Sequence, residues 1–261
     1  MLIGAAMMPH GNPVLKPEDE ETKKLAEVLK KIGKELSRAE VYVLISPHNI
    51  RMSEALGVIM AENLISWLGF AGVQLSGEYK TDKELAKEIY LRAKAEGLPV
   101  VDINFASLSG EYSRFPLTWG ELIPLHFLEK RPLVLLTPAR HIPKETLVKF
   151  GEVIGEALES YGKRVAFVAS ADHAHAHGNG PYGYAPEAKE YDKIVMRIIE
   201  ENRLEELLEM PDELINKALP DSYWQLLVLY GVLKKVPMTV KRTAYACPSY
   251  FGMGAALFIR E

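Results

Sequence analysis

The chain has 261 residues, with 31 basic and 35 acidic side chains for a formal net charge of -4, seven histidines and one cysteine. That length suits one large α/β domain with a sizeable core, and the balanced, scattered charge leaves no footprint for nucleic acid. The lone Cys247 excludes an internal disulfide or a thiolate metal cage and fits a reducing compartment.

From the N-terminus, an apolar run at 2–8 predicts a strand, and residues 21–36 place Leu25, Val28, Leu29 and Ile32 at helical spacing among Lys and Glu, an amphipathic cover for a sheet face. Strands are expected at 41–46 and 57–61, a helix at 82–96, a strand at 99–104, a helix at 120–128 and a strand at 133–137. A second amphipathic helix, 144–161, carries Leu147, Phe150, Ile154 and Leu158 on one side and leads to a strand at 165–170. Residues 173–186, with Gly178, Gly180, Pro181, Gly183 and Pro186, read as an ordered loop at the rim of a site. Helices at 186–201 and 222–233 and strands at 239–245 and 255–260 complete the chain.

This alternation predicts an α/β fold, a single domain over residues 1–261 with a central, mostly parallel sheet flanked by helices. There is no internal repeat and no linker. No stretch reaches the ~20 apolar residues of a membrane span, and the segment MLIGAAMMPHGNP lacks the cationic start of a signal peptide. The expectation is therefore a cytoplasmic protein with no membrane or nucleic-acid partner.

The histidines carry the information through their positions. His10 follows the first strand in MMPH, His48 follows the second in ISPH, and His173, His175 and His177 follow VAFVAS in SADHAHAHG. Ligands of open α/β sheets bind outside the carboxyl ends of strands, so five imidazoles point toward one rim. In both Pro-His pairs the proline stiffens the backbone before the ring, which limits the freedom a metal ligand would lose. Alternation sends His173, His175 and His177 to one side only if the strand continues, and a turn would leave one or two of them functional.

Two imidazoles rarely hold a metal alone, and a carboxylate would complete a two-His-one-carboxylate site with open positions. Asp221, in ALPDSYWQLL, is the candidate, although Asp before a helix is equally a common N-cap. Asp172 competes, or orients a neighbouring histidine. His126 reads as a packed or helix-surface residue, His141 as a rim residue beside Arg140 or a residue preceding a helix, and Cys247 as a small core residue. No glycine pattern supports nucleotide binding.

Taken together, MPHGNP at 8–13, ISPHN at 45–49, SADHAH at 170–175, PDSYWQLLVLYGVL at 220–233 and YFGMGAALFIRE at 250–261 resemble, in order and spacing, the LigB-like superfamily. Its members are the catalytic subunits of class III extradiol ring-cleaving dioxygenases and the related Memo-like proteins. The resemblance implies a catechol-type aromatic substrate with O2. It also implies Fe(II) on His10 and His48 with Asp221 as third ligand, Ser222 being the aligned neighbour in branches that use His there. It further implies His175 as acid/base, with His177 or His173 anchoring a substrate hydroxyl. One departure stands out: Leu117-Thr118-Trp119-Gly120 puts Trp119 where many family enzymes carry a histidine. The alternatives are a Memo-like metal-binding protein without ring cleavage, or a zinc-dependent hydrolase, with Zn or Mn in place of Fe(II). A homo-oligomer is compatible with the sequence, which shows no specific interface stripe.

Overall fold

The structure, a computed structural model, describes residues 1–70 and 72–260. Strand β1 (Leu2–Met8) leads through a short 3-10 turn to helix α1 (Glu20–Leu36), which starts where Asp19 accepts the backbone N–H of Thr22 at 2.8 Å. Its Leu25, Leu29, Ile32 and Leu36 are buried against the sheet, while its Lys and Glu face water. Then come β2 (Val41–Ile45), β3 (Leu56–Ile59), a hairpin of β4 (Asn63–Phe70) and β5 (Val73–Lys80), helix α2 (Lys83–Ala95), β6 (Val100–Ile103) and β7 (Arg114–Pro116). Helix α3 (Trp119–His126), β8 (Leu133–Thr137), α4 (Lys144–Ser160), β9 (Val165–Ser170), α5 (Pro186–Glu200), α6 (Asp212–Ala218), α7 (Tyr223–Lys235), β10 (Thr239–Ala246) and β11 (Met253–Ile259) follow.

Eight strands form one sheet in the order β10-β11-β1-β9-β2-β8-β3-β6. The central pairs β1/β9, β9/β2 and β2/β8 are parallel, as is β3/β6, whereas β8/β3, β1/β11 and β11/β10 are antiparallel. Strands β2, β8 and β9 are buried along their whole length and read as unbroken apolar runs, because helices or the small sheet cover both faces. Val41, Val43 and Ile45 pack on one face with α2, α4, α5 and α7; Tyr42 and Leu44 pack on the other with α1, α3 and the small sheet β5-β4-β7.

The α/β architecture with a mostly parallel central sheet is the one expected, and the expected strands and helices all appear with bounds shifted by at most two residues. The sequence reading omitted the small sheet and α6. Cys247 is a correction: it is half-buried on the segment after β10, not in the core, because the chain leaves the sheet at Ala246.

Strand order positions the site. With β9 inserted between β1 and β2, the carboxyl ends of these three parallel strands lie side by side, Met8 opposite Ser170 and Ile45 opposite Ala169. His10 and His48 emerge two and three residues beyond their strands, flanking the end of β9. From the other direction, α6 ends at Leu219, whose φ of 53° is left-handed. That turn, unusual for a leucine, reverses the chain so that Pro220 pairs with Ala174 and Asp221 enters the rim.

Candidate metal centre

His10, His48 and Asp221 each offer a donor atom, and the three atoms lie within 4.8 Å of one another. Oδ2 of Asp221 is 3.2 Å from Nε2 of His10 and 2.8 Å from Nε2 of His48. The two rings meet edge to face with centroids 4.6 Å apart. Asp221 is not an N-cap: α7 begins after Ser222 with no side-chain cap, and the Asp221 carboxylate turns to the histidines while its Oδ1 accepts the N–H of Asp172 at 3.2 Å. Ser222 faces away, its hydroxyl 2.9 Å from that of Tyr191.

Supporting groups fix the orientation of each donor. The Ser170 hydroxyl donates to the carbonyl of Gly120, so its oxygen accepts from Nδ1–H of His10 at 2.9 Å, which turns Nε2 toward the cluster. Oδ1 of Asp172 accepts the backbone N–H of His10 at 2.9 Å and of Gly11 at 3.2 Å, which pins the turn after β1, while its Oδ2 lies 3.5 Å from Nε2 of His10. Thr118 donates through Oγ1 to the His48 carbonyl at 2.9 Å and caps α3. Gly120 permits this approach, since a Cβ there would lie 2.6 Å from Ser46 Oγ and 2.8 Å from His48 Cβ.

The electrostatics favour a cation. Burial alone would lower the His10 imidazole, but the charges of Asp172 and Asp221 outweigh it and raise it to about 9. Burial would raise Asp221, yet the adjacent histidines hold it well below the usual carboxylate range. Burial pushes Asp172 up, with the His10 charge opposing, and pushes Glu121 up as well.

His175 stands beside the cluster, Nε2 3.9 Å from Asp221 Oδ2. A carbonyl can only accept, so the 3.0 Å contact of Nδ1 with the His173 carbonyl places the proton on Nδ1 and leaves Nε2 as a base facing the cluster. Stacking on Phe251 at 5.5 Å and an edge contact with Tyr182 at 5.6 Å hold the ring. A cavity of about 250 Å³ opens in front of these groups, its walls including His48, His175, Asp221, Arg51, Arg140, Tyr182, Asn216 and Trp224. It is just below the usual size of ligand pockets, roughly 300–1,000 Å³.

Of the five imidazoles expected at one rim, three converge. His173 is fully buried with Nε2 3.3 Å from the sulfur of Met196, between the rings of Tyr191 and Tyr245, and burial lowers its pKa. His177 donates from Nε2 to Asp192 at 2.8 Å, an oxygen that also accepts from Tyr245 at 2.6 Å. Neither lines the cavity; the chain turns here, with residues 174–176 pairing with 218–220, so the strand's alternation does not continue through the three histidines. His126 is on the exposed face of α3, and His141 is exposed, with its N–H bonded to the Ser53 carbonyl. Arg51, Asn216 and Tyr182 were missed; basic residues just beyond strand ends were the available signal for Arg51. Trp119 opens α3, its ring 4.7 Å from that of His48.

Comparison with known proteins supplies the family. Residues 4–258 match the catalytic LigB subunit of aromatic ring-opening dioxygenase. Protein CA_C1420 of Clostridium acetobutylicum is 26% identical over an alignment of 246 positions that covers 89% of this chain and 52% of that protein, so the chain spans about half the length of the curated relative it matches. The uncharacterized protein JW3007 from Escherichia coli K12 shares the fold, with a TM-score of 0.62 at 17% identity over 98% of this chain and 99% of the other. With nearly the whole chain covered by the family match, this protein belongs to the family of catalytic LigB subunits of aromatic ring-opening dioxygenases.

Proposed function

We propose that the protein is a metal-dependent extradiol dioxygenase that opens a catechol-type aromatic diol with O2, with Fe(II) held by His10, His48 and Asp221 and with His175 as acid/base. The observation that carries this reading is the donor set: two imidazoles and one carboxylate within 4.8 Å, with Nε2 of His10 turned inward by the bond of Nδ1–H to Ser170. Two neutral imidazoles and a carboxylate suit a divalent cation, and the negative surroundings that raise His10 would favour one. Bound there, Fe(II) would acidify the diol and bring it together with O2.

The chain's own residues do the rest. Nε2 of His175 accepts a proton from a diol hydroxyl and returns it later to an oxygen of the opening ring, work suited to an imidazole. Overall one ring C–C bond beside the diol breaks and both atoms of O2 enter the product, so no further reductant is needed. Phe251 and Tyr182 keep the base in line. Trp119 supplies an apolar cover beside His48 instead of a second titrating group, which leaves the proton transfers to His175.

Anaerobic Fe(II) reconstitution followed by oxygen uptake with a panel of catechols tests the proposal. Expected are stoichiometric iron and a yellow ring-opened product; a His10→Ala, His48→Ala variant that retains metal would overturn the site. Bound metal with no uptake on any catechol would instead favour metal binding without ring cleavage, the reading for which Trp119 speaks.

A further inference from the structure

We propose that Asn179 is a site of spontaneous deamidation and isomerisation, a self-modification that ages the loop holding Tyr182 against His175. The reaction needs neither metal nor substrate, so it stands apart from the ring-opening reading.

Asn179 and Gly180 sit at the tip of a loop closed by the pairing of His177 with Tyr184 and by the Gly178 N–H on the Gly183 carbonyl at 3.1 Å. Asn179 is exposed and left-handed, with φ 58°. Among the described residues, neither its side-chain amide nor the Gly180 N–H has a hydrogen-bond partner. Of the chain's asparagines, only Asn179 precedes glycine. The others are guarded. Asn12 precedes Pro13, which has no N–H, and Asn104 precedes the bulky Phe105. The N–H after Asn49 is bonded back to its side chain at 2.6 Å, and the N–H after Asn202 to the Ile198 carbonyl at 2.9 Å. Asn63 and Asn216 lie within β4 and α6, where regular hydrogen bonding fixes the backbone. Gly180 is itself required by packing: a Cβ there would lie 2.2 Å from Cγ of Tyr250, so a less reactive pair does not fit.

The Gly180 backbone nitrogen attacks Cγ of the Asn179 side chain. A new N–Cγ bond closes a five-membered succinimide, the nitrogen gives up its proton, and the Cγ–Nδ2 bond breaks with departure of ammonia. Water then opens the ring at either carbonyl to leave aspartate or isoaspartate, with no oxidant or reductant. Adjacent reacting groups make the step intramolecular, and glycine brings no side chain to block the approach. Isoaspartate adds a methylene to the main chain and a carboxylate beside it. The extra backbone atom disrupts the register that pairs His177 with Tyr184 and draws Gly180 off the Tyr250 ring. Tyr182 follows two residues later, its ring centroid 5.6 Å from that of His175 and 6.0 Å from that of Tyr250, so the change reaches the ring that holds His175.

The test is ageing of the full chain, wild type and Asn179→Gly, in warm, mildly alkaline buffer made with oxygen-labelled water. Peptide mapping and enzymatic methylation of isoaspartate then locate the product. Asn179→Gly suits the left-handed backbone and has no side chain to cyclise. The label and the methyl group are expected at Asn179 of the wild type, appearing severalfold faster than at any other asparagine. Chymotryptic cleavage of the folded protein after Tyr182 or Tyr184 is expected to become severalfold faster in aged wild type and to keep its fresh rate in aged Asn179→Gly. An intact Asn179 amide after ageing, or deamidation there no faster than at Asn104, overturns the modification site. Modified protein whose loop is cut no faster than that of fresh protein overturns the effect on Tyr182.

Discussion

The hydroxyl of Ser170 joins the ring of His10 to the backbone of α3, accepting from Nδ1–H at 2.9 Å while donating to the Gly120 carbonyl. One oxygen thus fixes which nitrogen of His10 faces the cluster and couples that choice to the helix that also covers His48. Removing it in Ser170→Ala leaves the imidazole free to flip or to change tautomer. Metal affinity is expected to fall about 10- to 100-fold, the usual loss when the hydrogen-bond partner of a ligating histidine is removed. Chelator competition measures it, and a wild-type affinity would show that His10 needs no such partner.

The Nδ1 contact of His175 with a backbone carbonyl makes its role separable from metal binding. His175→Phe preserves an aromatic ring for stacking on Phe251 and removes the lone pair that faces Asp221. Turnover of the best catechol is expected to fall by roughly 10²–10⁴-fold, the range of general acid–base catalysis, with metal content unchanged. Loss of metal in parallel with activity would assign His175 to coordination instead.

His177 is a structural cation by contrast. Its hydrogen bond to Asp192, helped by Cys247 and opposed by burial, raises its pKa to about 10. Since the folded value lies above the unfolded one of about 6.5, the stabilisation is fully present below about pH 6.5 and is lost as pH rises through the folded value. A hydrogen bond to a charged partner contributes roughly 1.5–3 kcal/mol. Denaturant unfolding of wild type and His177→Gln is expected to show a gap of that size in mild acid that closes toward about pH 10; a gap independent of pH would mean that His177 acts as a neutral donor.

Much of this was legible in the sequence, for reasons that the structure makes plain. Central strands such as Val41–Ile45 are covered on both faces, so they stand out as apolar runs, and Pro-His beyond such a run marks a strand end. The hairpin Asn63–Lys80 was overlooked because its core-facing side is short, with Leu64 and Leu75 buried, and Gly69, Gly72 and Gly77 interrupt its alternation. Helix Asp212–Ala218 is two turns long and too short to show a periodicity. Which histidines converge was not readable at all. That depends on residues 174–176 pairing with 218–220, a contact across more than forty residues that sends His175 inward and His173 and His177 elsewhere. The proximity of Arg51 and Arg140 has the same origin in the bridge Met52 to Ala139.

Helix α7 begins two residues after Asp221, and its own seat depends on a glycine contact with α4. A Cβ on Gly231 would lie 2.0 Å from the Val148 carbonyl oxygen and 2.8 Å from the Gly151 Cα, both backbone atoms that cannot turn aside. Gly231→Ala gains up to ~1 kcal/mol of helix propensity, but separating two helices in a packed core costs ~1–3 kcal/mol. The net effect is expected to be destabilising, a fall of a few degrees in Tm for a domain of this size. Moving α7 also moves Asp221 relative to His10 and His48, so chelator competition should show weakened metal affinity in the same variant. Gly162→Ala is the control, since nothing lies within 4 Å of a Cβ there. Loss of stability in Gly231→Ala with metal affinity untouched would show that the carboxylate is held by its bond to Asp172 and not by the helix behind it.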